Sequence, residues 1–313
     1  MTTVDDLAEY DAFGPWIDEV RSPSEVPRLF RAHPLDLGAA SLVLKVPRNI
    51  VRRDANPAMH LYDALLALDP EGLVVLTRTD DAFSARRVPL ASIVALQNDS
   101  LLLDARFTVH TTDGDPLVVP YNGSARESID RLITRMRGLL TPAASRPPAQ
   151  APGGSPTPTP AAPPAPPAGT PAATGVRLPD HPRDAGLVAA YADFAAGEPE
   201  ITLLAAHPTL RLRPAGGALT RALHAVRPMT LHGAVVAATP GELHVLHRRE
   251  WLARGSQADI SDAHTLVVRR PDARPASHAH PLYPDAVVVT LPTGGAPLEL
   301  VLDADTAAAL LAH

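Results

Sequence analysis

The chain has 313 residues, too many for one ordinary domain and about right for two. Its 28 Lys+Arg against 34 Asp+Glu give a net charge of −6, which argues against a nucleic-acid binder, whose footprint is a basic excess. With no cysteine it has no disulfide, thiolate metal site, iron–sulfur cluster or thiol nucleophile, and with 4% aromatic against 45% apolar residues its core rests on small aliphatics.

Met1 to Tyr10 carries Asp5, Asp6 and Glu9 and no basic residue ahead of an apolar run, so it does not read as a signal peptide. No apolar stretch approaches the roughly 20 residues of a spanning helix, and the expectation is a cytoplasmic chain without a transmembrane segment. Residues 3–31 are expected to form short helices that bury Phe13, Trp16, Ile17 and Val20. Next comes Lys45-Val-Pro-Arg48-Asn-Ile-Val-Arg52-Arg53, four cations in nine residues of an acidic lobe. Lys45, Arg48, Arg52 and Arg53 are therefore the candidate contacts for an anion or a partner. Leu61–Asp69 and Leu73–Arg78 read as a hairpin across Asp69-Pro70-Glu71-Gly72, where Pro second and Gly fourth suit a type I turn. Arg87–Ala95 reads as one strand. Arg106–Thr111 and Leu117–Tyr121 form a second hairpin. Ser124-Ala-Arg-Glu127 has the form of a capping box. Ile129, Leu132, Ile133, Met136 and Leu140 then make one apolar helical stripe, with Arg131 and Arg135 on another face.

Residues 141–175 hold 12 of the 35 prolines and one charge, Arg146, a composition that cannot bury a core and is expected to be a disordered spacer. A second leader, 184–197, presents Leu187, Tyr191 and Phe194. Residues 231–248 then repeat 61–78 at an offset of 170, with 8 identities in 18 ungapped positions. In this copy Thr239-Pro240-Gly241-Glu242 puts glycine third, as a type II turn requires. His247–Gly255 (HRREWLARG) sets Trp251 beside Arg248, Arg249 and Arg254, a partner contact or a packed strand and loop. Ala286–Leu291 and Leu298–Leu302 form the last hairpin, and Asp303 or Asp305 caps a short helix bearing Ala307, Leu310 and Leu311. TDGDPL at 112–117 matches TGGAPL at 293–298 at an offset of 181, so the second lobe carries about eleven extra residues, placed at 271–281 by composition.

Antiparallel hairpins spanning about 100 residues and closed by an amphipathic C-terminal helix resemble a pleckstrin-homology-like (PH-like) barrel. The whole chain resembles a bacterial family of tandem PH-like barrels joined by a Pro-rich linker. The lone tryptophan of that family's closing helix is absent here. The resemblance implies an α+β, mainly β fold: two homologous PH-like barrels, each a bent antiparallel sheet closed by a C-terminal helix, with short helical leaders. Their bounds are 1–37 (leader), 38–140 (first barrel), 141–175 (linker), 176–204 (leader) and 205–313 (second barrel), with each lobe expected to fold alone. It also implies a binding role for basic residues near the first strands, although Lys45–Arg53 does not follow the family's spacing.

Signatures of chemistry are sparse. There is no GxSxG, SxxK or phosphate-binding glycine loop, and Gly216-Gly217 lacks the third glycine of a dinucleotide fingerprint. Asp80-Asp81 and Asp113/Asp115 sit in turns, where aspartate is favoured locally. His278-Ala-His280 puts two imidazoles on one side of an extended segment, short of the three or four ligands a metal needs unless Asp272 or Asp285 joins them. His244 and His247 fall on opposite sides of a strand, and His110 and His264 read as surface or edge residues. The expectation is a non-enzymatic binding or scaffold protein with no catalytic residue, cofactor or metal and with a protein or peptide partner. The alternatives are a metal-dependent hydrolase using the second-lobe histidines, and a peripheral binder of anionic lipid headgroups with weak surface affinity.

Overall fold

The computed structural model describes residues 4–140, 176–217, 228–254, 260–270 and 274–313. The expected linker 141–175 and Asp272 lie outside the described residues.

The first lobe opens with helix α1 (Val4–Ala12), strand β1 (Asp18–Glu19) and two short 3-10 turns. β2 (Leu42–Pro47), β3 (Tyr62–Leu68), β4 (Gly72–Thr79) and β5 (Ala82–Pro89) follow, and β1 to β5 pair in that order as one antiparallel sheet. Both faces are covered along β2, β3 and the first part of β4, which explains why these three strands read as near-continuous apolar runs. Leu44, Val46, Leu66 and Val75 face the lobe interior, while Val43, Leu65 and Leu76 face Phe13, Val20, Val26 and Phe30 of the leader. Trp16 departs from expectation: it is 57% exposed. The β3–β4 turn is closed by the Asp69 carboxylate, which accepts from the N–H groups of Glu71 and Gly72 at 2.8 and 2.9 Å. A Cβ at residue 72 would lie 2.4 Å from the Val88 carbonyl oxygen, so glycine is required there. In the second lobe Gly241 takes φ +86°, as its place in a type II turn demands.

The single strand expected at 87–95 is two. β5 stops at Pro89, which lacks an N–H for a ladder, and a 3-10 turn over Leu90–Ser92 redirects the chain into β6 (Ile93–Leu101). β6, β7 (Asp104–Thr111) and β8 (Leu117–Asn122) pair in order, and α2 (Arg126–Leu140) closes the lobe. Its stripe behaves as expected: Ile129, Leu132 and Met136 are fully buried, with Ile133 and Leu140 packed beside them. The capping box does not form. Asn122 takes that role, its side-chain oxygen accepting from the Ser124 N–H at 3.0 Å and from the Ser124 hydroxyl at 2.8 Å.

The second lobe contains α3 (Ala185–Gly197), β9 (Thr202–His207), β10 (Leu210–Leu212), β11 (Met229–Leu231), β12 (Ala234–Thr239), β13 (Glu242–His247), β14 (Leu252–Arg254), β15 (Asp262–Val268), β16 (Ala276–Ala279), β17 (Val287–Leu291), β18 (Leu298–Leu302) and α4 (Ala304–Leu311). Asp303 caps α4 by accepting from the Thr306 N–H at 2.8 Å. β10, β11 and β14 form one small sheet, and β16, β17 and β18 another.

The remaining sheet crosses the lobe boundary. Its seven strands run β8-β7-β6-β15-β13-β12-β9, all antiparallel, with Leu96 of β6 opposite Leu266 of β15. The cores interlock accordingly: Leu266 belongs to the first lobe's core, and Ala95 of β6 belongs to the second's. The lobes are therefore joined through a common sheet rather than standing apart. The fold is α+β and mainly β, and no sheet closes into a barrel among the described residues. The break at Pro89 and the diversion of β6 to β15 leave each lobe as two sheets facing each other across a core.

Pairing order also relocates the extra residues of the second lobe. Leu73 pairs with Val88, and its counterpart Leu243 pairs with Val267. The offset thus changes from 170 to 179 between β13 and β15, so most of the insertion is 248–261, which includes β14, and not 271–281.

Candidate binding cleft between the lobes

α2 and α3 lie on the same face of the seven-stranded sheet, and a cleft of about 630 Å³ separates them. Leu246, His264 and Leu266 form its floor, with Ile133 and Thr134 on one wall and Leu187, Ala190 and Phe194 on the other. Its size is within the usual range for small-molecule sites. Charged groups sit at both ends of this apolar middle. Arg126 and Arg137 are eleven residues apart on α2, about 16 Å at 1.5 Å per residue.

At the first end the Arg126 guanidinium is ion-paired with Asp262 of the other lobe and lies 3.6 Å from Asp130. Ser100 donates to Asp262 at 2.5 Å. Tyr121 donates to the Asn98 side-chain oxygen at 2.7 Å, and the Asn98 amide donates to Asp130 at 2.9 Å. Burial pushes the Asp130 carboxyl up, against the pull of Arg126 and Asn98. Burial also opposes the charge on Arg126, but Asp262 and Asp130 outweigh it and hold the guanidinium more firmly protonated.

At the second end Arg137 bridges the lobes, ion-paired with Glu198 and, at 2.8 Å, with Glu242. Burial disfavours the Glu242 carboxylate, yet His244 and Arg137 prevail and keep its pKa below the usual range. His244 Nδ1 stands 3.1 Å from His264 Nε2, and Phe194 packs against both rings, tilted on the first and edge-on to the second, at centroid distances of 4.8 and 4.9 Å. Burial, then the neighbouring His244 and cations, drive His264 well below the ordinary imidazole value. The cleft can thus hold an apolar body against Phe194 and Leu187 while offering polar groups at its ends.

The histidines differ from their sequence reading. His244, on the α3 face, and His247, on the other, do point oppositely, but both are buried. His247 is stacked on Trp251 at 4.0 Å and bonded to the Thr265 hydroxyl at 2.9 Å. His264 is not an edge residue but the partner of His244, and His110 is 8% exposed rather than superficial. His278 is exposed on β16, while His280 follows that strand, half-buried, its Nδ1 accepting from the Leu282 N–H at 3.1 Å. His244 and His264 come together, and among the described residues no group of three His, Cys, Asp or Glu side chains could hold a metal.

The cationic run at 45–53 does not gather into one patch. Lys45 is 8% exposed, its ammonium 5.2 Å from the Tyr62 ring. Arg48 donates to the His60 carbonyl at 3.2 Å. Arg52 donates to the Phe13 carbonyl and covers the Tyr10 ring at 4.4 Å. Arg53 is exposed beside Asp54. In the 247–255 motif Arg248 donates to the Ser261 carbonyl at 2.6 Å, and Arg249 joins the lobes through Asp99 and Asp104 at 2.5 and 2.6 Å. The cleft-lining charges had escaped the sequence reading. Their only local signal is a second face of α2, where Arg126, Asp130 and Arg137 recur at i, i+4 and i+11 beside Ile133.

No family model, curated protein or solved structure matches this chain. No helix among the described residues is long and apolar enough to cross a membrane.

Proposed function

We propose that the chain is a non-enzymatic binding protein of two PH-like modules, and that its ligand enters the cleft between α2 and α3. The modular reading is supported by strand order. β2-β3-β4-β5, then β6-β7-β8 and α2, is repeated as β9-β12-β13-β15, then β16-β17-β18 and α4. The observation that carries the binding reading is the cleft itself, about 630 Å³, walled by a helix from each lobe. Its apolar middle and polar ends suit an amphiphilic small molecule or the side chains of a bound peptide.

Ala190→Trp fills the cleft from the α3 wall. In a thermal-shift screen of metabolites and short peptides, compounds that stabilise the wild-type chain should lose that effect on the filled variant. Stabilisation of both chains by the same compounds would place the ligand elsewhere.

A further inference from the structure

The β6–β15 junction has a direction. By strand order β5 corresponds to β15 and β6 to β16. The junction therefore joins the fifth-strand type of the first lobe's second sheet to the fourth-strand type of the second lobe's first sheet. An interface between unlike surfaces of repeated units is heterologous, and it leaves one unused copy of each surface at the ends of the array. Those copies are β5 and β16. Both are edge strands among the described residues.

The two open edges have the form of the joined ones. Leu90 donates to the Glu71 carbonyl at 3.0 Å, and its counterpart Arg269 donates to the Gly241 carbonyl at 2.9 Å. Antiparallel alternation from those bonds turns the main-chain groups of Phe83, Ala85 and Arg87 outward from β4. It turns those of His264 and Leu266 outward from β13 in the same way, toward β6. On the other side, His280 donates to the Ala286 carbonyl at 2.9 Å, and alternation turns Ser277 and Ala279 outward from β17. These correspond to Asn98 and Ser100, which pair with His264 and Asp262. All four residues of β16 are exposed, and Ser84 and Ala85 of β5 are small and exposed, so a second strand meets little steric hindrance. Exposed edges of this kind are templates for pairing with another chain.

We infer that a second copy of this chain docks on the first by antiparallel pairing of its β5 with β16, repeating the internal β6–β15 junction between molecules. The register carried over from Asn98 opposite His264 sets Ser277 opposite Ala85, and Ala279 opposite Phe83. Pro275 and Pro89 bound the paired segment, because neither supplies an N–H. The assembly is head to tail, so it lengthens with concentration unless the rotation per copy closes a ring.

The absence of cysteine makes the test direct. Ala85→Cys and Ser277→Cys chains are purified separately, mixed in equal amounts and oxidised gently. The proposed register puts the two sulfurs on directly opposed residues, whose Cα separation of about 5.5 Å suits a disulfide. The expected product is the mixed dimer, at least about fivefold above either homodimer, where random collision gives about a twofold excess. Arg86→Cys, whose side chain faces the other side of β5, should give no such excess with Ser277→Cys. Sedimentation of the wild-type chain should show a weight-average mass rising with concentration. A random distribution of products, equal cross-linking by Arg86→Cys, or a monomer at every concentration up to about 1 mM would overturn the inference.

Discussion

Leu266 is the sharpest test of whether the lobes are one folding unit. It lies on a strand of the second lobe, is 2% exposed, and belongs to the core of the first. Leu266→Ala removes three carbons, about 2.4 kcal/mol at roughly 0.8 kcal/mol per methylene. The cavity left in a core already closed by Leu96 and α2 raises the expected cost to about 3 kcal/mol. If the common sheet makes unfolding cooperative, this loss is felt at both ends of the molecule. Hydrogen exchange with peptide mass spectrometry can follow β3–β4 and β12–β13 in one sample. Where those amides exchange only through global unfolding, both should exchange on the order of a hundredfold faster. Faster exchange in one lobe alone would refute the shared-unit argument. So would a loss below about 0.5 kcal/mol in denaturant unfolding.

Leu132→Ala in α2 should cost about 2–5 kcal/mol in denaturant unfolding, while Arg131→Ala on the solvated side stays within about 0.5 kcal/mol of neutral. His110 has neither ring nitrogen hydrogen-bonded among the described residues, and burial lowers its pKa from 6.5 to about 4. Above pH 6.5 it is neutral folded and unfolded; as pH falls from 6.5 towards 4 the unfolded chain takes the proton first and stability drops. His110→Leu should therefore shrink the stability loss between pH 7 and pH 5 by about 2 kcal/mol, and an unchanged loss in denaturation at the two pH values would contradict this. A Cβ at residue 294 would lie 2.3 Å from the main chain of Asp113 and Gly114, whereas one at residue 138 meets nothing within 4 Å. Gly294→Ala should thus lower the melting temperature, and Gly138→Ala, inside a helix, should raise it by the equivalent of about 0.5–1 kcal/mol.

Local physics explains which elements were legible. The β3–β4 and β12–β13 hairpins, the glycine at φ +86°, the buried stripe of α2 and the Asp303 cap all depend on residues within a few positions of each other. The failures are of two kinds. At Ser124 the capping pattern was present, but Asn122 two residues earlier offered a competing acceptor. At 87–95 the apolar run continued through a proline that ends one strand and turns the chain into the next. Apart from the charged second face of α2, the cleft had no local signature. Its ion pairs, Arg126 with Asp262 and Arg137 with Glu242, join residues more than 100 positions apart.

The cleft follows from the way the sheet is shared. Residues directly opposite in a ladder lie on the same face, so Leu96, Leu266, His244 and Ala237 form one row across four strands. That face is interior for the first lobe, where α2 covers it, and exterior for the second, where α3 covers it. The opposite face reverses the roles: Val267, Val245 and Val236 are interior to the second lobe, and Ala95 joins them. Two helices are thus laid on one continuous surface, each serving a different lobe. The two helices do not meet, and the gap between them is lined on β15 by His264 and the buried Leu266. Buried there unaided, the polar edges of both helices would be costly. Arg126 and Arg137 offset this by reaching acidic groups of the opposite lobe. Removing either arginine should therefore loosen the lobes and reshape the cleft together, because one set of contacts serves both.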